Sequence, residues 1–281
     1  MKKRKLTSEH LGGYRNYLRR EERSPATIEK YIRDVEEFSR WLKGRAVTKE
    51  TAVLWKAHLL DQGLMPVTVN TKLSALNGLF RFLGWAECRI KFLKIQRRIF
   101  REDSRALTRE EYRRLLDTAR ARGRDQLALL METICAAGMR VSELRYITVE
   151  AARRGRAEIS LKGKVRTILL PGKLCRKLIK YASKQKIALG EIFLTRDGRS
   201  LSRKQIWKEM KMLCSGAGVK ASKVFPHNLR HLFATTFYRT SRDIVKLADL
   251  LGHSSIDTTR IYLLSTSAEH IRELERLELI T

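Results

Sequence analysis

Apolar side chains recur at helical spacing through most of the first hundred positions. Ile28, Tyr31, Ile32, Val35, Phe38 and Leu42 fall on one face of a helix that Ser24 caps, with Pro25 in its first position, until Gly44 stops the run. Thr48 opens another candidate containing Leu54, Trp55 and Leu59, and Val69, Leu73, Leu76, Leu79, Phe80 and Leu83 form a further stripe before Gly84. This pattern predicts an all-helical bundle of about four helices over residues 1–100. From Ile95 to Arg105 the chain is dense in charge and has no apolar period, as a solvated connection between domains should be. Thr108 and Glu111 then form a capping box, and Tyr112, Leu115, Leu116, Leu127, Leu130 and Ile134 resume the helical spacing. Between Arg156 and Pro171 the period switches to two, with Lys162-Gly163 as a turn, which predicts one β-hairpin. Helical texture returns at Ser202 and, apart from loops around Ser215 to Pro226, runs nearly to the end. The predicted fold class is mainly α with a small β-hairpin, in two domains: an all-helical one over 1–100 and an α+β one over 101–281.

Charge narrows the choice of partner. The 281 residues carry 59 Lys and Arg against 30 Asp and Glu, a formal net charge of +29, and 43% are hydrophobic, enough for packed cores. The surplus is not a tail, since residues 1–100 carry +12 and the remainder +17. Self-repulsion of that size calls for a polyanionic partner, and nucleic acid is the first candidate. No stretch approaches 18 consecutive apolar residues, so no membrane span is expected. The start, MKKRKLTSEHLGG, lacks the apolar core of a secretory signal, so a cytoplasmic location is expected. Cys88, Cys135, Cys175 and Cys214 contain no CxxC pair and read as reduced packing residues.

Three segments of the second domain interrupt apolar helices with polar residues that packing alone does not require. In CAAGMRVSELRYI, Gly138 permits an unusual φ or a close backbone approach, and Arg140, Ser142 and Glu143 follow it. In FPHNLRHLFATTFY, Pro226 sets the helix entry, His227 and Arg230 share a face, and Leu229, Phe233 and Phe237 face the core. In LADLLGHSSIDTTRIYLLS, His253 follows Leu251-Gly252 at a helix C-terminus and Tyr262 lies nine residues on. Taken singly, Arg140 reads first as a salt-bridged residue and Tyr262 as a core aromatic. His227 and His231 are four apart, but no Glu follows the first in HExxH fashion and no spaced Cys or carboxylate completes a zinc site, so no metal is expected.

Together and in this order, Gly-x-Arg-x-Ser-Glu-Leu, a hairpin lysine, His-x-x-Arg-His and Leu-Gly-His with a tyrosine nine residues later resemble the tyrosine recombinase, or phage integrase, family. The helical first hundred residues look like that family's SAM-like core-binding domain, so the resemblance covers nearly the whole chain. It implies that Tyr262 is a nucleophile toward DNA, that Arg140 and Arg230 grip the scissile phosphate, and that His227 and His253 make the remaining polar contacts. A hairpin lysine would protonate the departing oxygen. Family members commonly show Gly-Lys-Gly-x-Lys there. Leu161-Lys162-Gly163-Lys164 is one residue shorter, so Lys164, two before Arg166, is the expected acid and Lys162 its rival.

The chemistry suits the residue types. Guanidiniums present a planar fork of donors to phosphate oxygens and stay protonated. No cluster of Asp and Glu in the motif segments could hold Mg²⁺, so the positive charge is expected from side chains alone, with no cofactor. A tyrosine attack exchanges one phosphodiester for a 3′-phosphotyrosine ester, so rejoining needs no ATP. The resemblance further implies a homotetramer on two specific double-stranded DNA sites, passing through a Holliday junction; chromosome-dimer resolution, transposon or phage integration and DNA inversion stay open as roles, with an integrase or recombinase of a mobile element the expected one. Two basic domains suggest a clamp on duplex DNA, and the resemblance implies that SAEHIRELERLEL, with Ile271, Leu274, Leu277 and Leu279, docks on a neighbouring protomer, with packing on its own domain as the alternative. A type IB topoisomerase and a non-catalytic DNA-binding protein are the rival readings.

Overall fold

The computed structural model describes residues 4–95, 106–161, 164–263 and 275–276. The chain separates into two compact units, residues 1–97 and 98–281. Among the described residues the architecture is mainly helical with one two-stranded sheet, the fold class that the periodicity predicts.

The first unit holds α1 (Ser8–Arg20), α2 (Pro25–Leu42), α3 (Lys49–Asp61) and α4 (Pro66–Phe82). Hydroxyls set the starts of the first three: Thr7, Ser24 and Thr48 accept the amides of His10, Thr27 and Thr51. The chain leaves α2 through two left-handed residues, Lys43 and Gly44. Ile28, Ile32, Val35, Phe38 and Leu42 of α2 are buried against α4. Phe38 lies at the centre, with ring centroids 5.7 Å from Trp55 and 6.2 Å from Phe80. Each such side chain contributes about 1.5–3 kcal/mol by leaving water. Leu54, on the same helix as Trp55, faces outward. Two asparagines two turns apart on α4 use both ends of their amides on one extended segment. Asn77 pairs with the backbone of Ile90 (2.8 and 2.9 Å), and Asn70 with that of Leu93 (2.8 and 2.9 Å).

The second unit is built around α6 (Asp125–Ala137), which is buried on nearly every side and packs against α5 (Arg109–Ala121) and later helices. The Thr108–Glu111 capping box is present at the start of α5. A 3₁₀ turn (Val141–Tyr146) and the short α7 (Val149–Arg154) lead into β1 (Arg156–Leu161) and β2 (Lys164–Leu169). The strands pair antiparallel from Arg156↔Leu169 to Leu161↔Lys164, with Ile159 and Ile168 buried and Val165 and Leu169 exposed.

Two stretches differ from the periodicity reading. The segment after the hairpin is helical, α8 (Gly172–Lys184), well before Ser202. Its buried stripe of Leu174, Cys175, Leu178 and Ala182 is narrow and embedded among five lysines and arginines, which hide the apolar period. After α9 (Arg203–Met212), the stretch expected as a loop contains one helical turn, α10 (Cys214–Ala217), closed by left-handed Gly218. The unit continues with α11 (Pro226–Ser241), α12 (Ile244–Leu251), α13 (Ile256–Arg260) and a 3₁₀ turn (Ile261–Leu263). A small apolar cluster of Ala234, Leu247, Leu251 and Tyr262 joins α11, α12 and that last turn. Among the described residues no helix is long and apolar enough to cross a membrane. Lys162 and the segment bearing Ile271, Leu274, Leu277 and Leu279 lie outside the described residues.

Candidate active site

Helix termini deliver the polar residues of the site. Helix α6 ends at Gly138, whose φ of +59° is left-handed, and a Cβ there would overlap the Phe233 ring. Both properties that the sequence left open for Gly138 are therefore used, and the tight turn places Arg140 at the entrance of the Val141–Tyr146 turn. Pro226 starts α11 one residue before His227, so Arg230 falls one turn inside. Helix α12 ends at Leu251, left-handed Gly252 turns the chain, and His253 follows.

Arg230 is the centre of the arrangement. It is 2% exposed and donates to the Gly138 carbonyl (2.7 Å), the Leu251 carbonyl (2.7 Å) and His253 Nε2 (2.9 Å). A guanidinium only donates, so Nε2 of His253 is the acceptor and the ring proton sits on Nδ1. From there it is donated to the hydroxyl of Thr259, at 2.9 Å. Thr259 is fully buried, so this tautomer is held from both sides.

Tyr262 is 6% exposed and ringed by histidines. Its ring centroid is 5.8 Å from that of His253, nearly parallel at 11°, 5.9 Å from His227 and 5.2 Å from His231. The tyrosine also interacts electrostatically with the Arg230 guanidinium. Among the described residues, no group of three His, Cys, Asp or Glu side chains is placed to hold a metal.

The charges are unbalanced. Among the described residues, Arg140, Arg166 and Arg230 converge with one carboxylate, Glu143, which is 2% exposed. Glu143 accepts the Arg140 amide (2.7 Å), the Arg140 guanidinium (3.2 Å) and the Arg166 guanidinium (3.1 Å). Burial, followed by repulsion from Arg140, lowers Arg230 to about 10, so it remains a cation at neutral pH. Burial and then Arg230, Arg140, Arg166 and His227 push His253 down to about 4. His227 is lowered by burial and by Arg230 and Arg140, although its outer surface is open to solvent. Both imidazoles are therefore neutral at pH 7, in a pocket where an anion would relieve the repulsion.

Of the six residues read from the sequence, Arg140, His227, Arg230, His253 and Tyr262 are brought together. Lys164 opens β2 opposite Leu161. The sequence reading missed Arg166 and Thr259 as members of this cluster. Arg166 shares the alternation of buried Ile168 on β2, so a charge on the apolar face was its signal. Thr259 carries no comparable sign.

The chain belongs to the phage integrase family of tyrosine recombinases. The model described as phage integrase family matches residues 105–269, and that of the phage integrase N-terminal SAM-like domain matches residues 11–87. The tyrosine recombinase XerA of Thermococcus kodakarensis is 34% identical over 280 residues, covering 95% of this chain and 94% of that protein. XerA of Pyrococcus furiosus is 31% identical over 291 residues, covering 100% and 98%. Among solved structures, a lambda integrase dimer bound to a COC′ core site matches with a TM-score of 0.73 at 18% identity, covering 92% of this chain and 95% of that one. That likeness is one of fold.

Proposed function

We propose that this chain is a site-specific recombinase that cuts and rejoins DNA through a 3′-phosphotyrosine intermediate. The observation that carries the reading is the buried Tyr262 phenol set among neutral imidazoles and beside a guanidinium cluster that a single carboxylate leaves cationic. Arg140 and Arg230 hold the non-bridging oxygens of a phosphodiester, where negative charge grows as a fifth oxygen approaches. The Tyr262 oxygen attacks phosphorus, the bond from phosphorus to the 5′ oxygen breaks, and a phosphotyrosine ester forms. The phenolic proton passes to neutral His227, and Lys164 gives a proton to the 5′ oxygen. Attack by a freed 5′ hydroxyl of another strand reverses these steps without ATP, metal or cofactor. Exchange between two duplexes requires paired sites, so the working assembly is a homotetramer on two double-stranded sites, with residues 1–100 and 101–281 as the two DNA-binding domains. A lambda integrase tetramer bound to a Holliday junction, matched at a TM-score of 0.70, supports that assembly by analogy of fold.

The test is Tyr262→Phe in the full chain with fragmented DNA from the source genome. Wild type should form a denaturant-resistant protein–DNA adduct from which a target site is recovered. The variant should bind DNA with unchanged salt dependence and form no adduct. Adduct formation by Tyr262→Phe would refute the assignment of the nucleophile. No adduct from either protein, with binding intact, would favour a non-catalytic DNA-binding protein.

A further inference from the structure

We propose that Arg166 is a positioning residue: it ties strand β2, and with it Lys164, to the wall of the site that carries Arg140, Arg230 and His253. The inference rests on the transesterification reading above.

The side chain of Arg166 crosses from the hairpin to two acceptors distant in sequence. One is Glu143 Oε2, at 3.1 Å, and the other is the carbonyl of Leu251. Each acceptor is shared with another guanidinium of the site. Glu143 also holds Arg140, and the Leu251 carbonyl also receives Arg230 at 2.7 Å. Arg166 is therefore the junction at which the hairpin, the turn after α6 and the end of α12 meet. Lys164 precedes it by two residues on the same strand, about 7 Å of extended backbone. Fixing one position limits the travel of the other.

This junction is costly to build, which argues against a packing role. The Arg166 side chain is 16% exposed, and its Nε–H is buried without a hydrogen-bond partner. An unmade buried hydrogen bond is destabilising, and a methionine of similar length would avoid it. The opposite wall is shaped to the guanidinium as well. Gly252 is left-handed at φ +62°, and a Cβ there would come within 2.6 Å of Arg166 Cδ and overlap the guanidinium. The glycine of Leu-Gly-His is thus required twice, for its backbone and for the room it leaves.

A leaving group that needs no acid separates positioning of Lys164 from direct contact with phosphate. A 5′-bridging phosphorothiolate expels a thiolate, which departs without a proton. The probe is a duplex carrying the site recovered by adduct capture, made with either oxygen or sulfur at the scissile bridge. With oxygen, Arg166→Met should form adduct about 100-fold more slowly than wild type, the scale of an acid displaced by about 1 Å. With sulfur it should fall within about fivefold of wild type, as should Lys164→Ala. Arg166→Lys, which keeps charge but cannot reach both acceptors, and Gly252→Ala, which crowds the guanidinium, should be slowed less and rescued equally. Amide exchange of residues 156–161 and 164–169 in the DNA-free full chain should speed up in Arg166→Met. Equal slowing on oxygen and sulfur would overturn the proposal in favour of a phosphate contact, and unchanged exchange would overturn the tether itself. Should neither Lys164→Ala nor Lys162→Ala be rescued by sulfur, the general-acid reading fails and the catalytic purpose of the tether with it, while the exchange data still judge the tether.

Discussion

His253 makes the stability of the second unit depend on pH in a way that can be isolated. Its Nε2 lone pair accepts from Arg230, and its Nδ1 proton goes to Thr259, so protonating the ring places a donor against a donor. The folded protein holds this group at about 4, against an ordinary 6.5. Because the folded value is the lower one, the unfolded chain binds the proton first as pH falls. The stabilising contribution is complete above pH 6.5 and is lost progressively toward pH 4. At 1.36 kcal/mol per pKa unit the full loss is about 3.4 kcal/mol, of which about 2.5 falls between pH 7.5 and 4.5. His253 is only half-buried, so screening brings the expected figure to about 1.5–2 kcal/mol. For a unit of this size that is about 3–8 °C in Tm. The comparison is His253→Gln, whose amide oxygen still accepts from Arg230 but does not titrate. Thermal melts of both proteins at pH 7.5 and 4.5 cancel the other carboxylates and His227. The gap between wild type and variant should shrink by 3–8 °C at the lower pH. Parallel profiles would show that the ring is not held neutral and would refute the tautomer deduced from the hydrogen bonds.

Two further outcomes follow from the geometry. Gly138→Ala would combine a left-handed φ with overlap of the Phe233 ring, and should lower stability by about 2–4 kcal/mol in denaturant melts; a loss under 1 kcal/mol would mean that the turn relaxes freely. Arg230→Lys keeps the charge, yet one ammonium cannot serve Gly138, Leu251 and His253 together. Single-turnover adduct formation should fall about 10²–10³-fold with DNA affinity changed less than tenfold, and an unaffected rate would remove Arg230 from transition-state stabilisation.

What could be read from the sequence follows from how local each signal is. Ser24-Pro25, the Thr108–Glu111 box and Gly138 act within one turn of chain, and each was legible from a few neighbouring residues. The residues Arg140, Arg230, His253 and Tyr262 could be singled out because each lies in a short ordered motif. The contacts that complete the site depend on separations that no window contains. Arg166 reaches Leu251 across 85 positions, and only a charge in phase with Ile168 hints at it. Helix α8 was missed for a different reason: its lysines and arginines outnumber the four residues that point inward. Asn70 and Asn77 look like ordinary polar positions on α4, because their partners are backbone groups whose approach only the fold creates.

Those two asparagines determine where the helical unit ends for anyone building chimeras of it. They clip residues 90–93 onto α4 much as a neighbouring strand would, although the chain there has no sheet to join. A graft junction at Gly84, where the helical pattern stops, would discard the clipped segment and strand the Asn77 amide in the interior. A junction after Lys94 carries the whole clasp along, so the exchangeable module runs twelve residues past the end of α4 at Phe82.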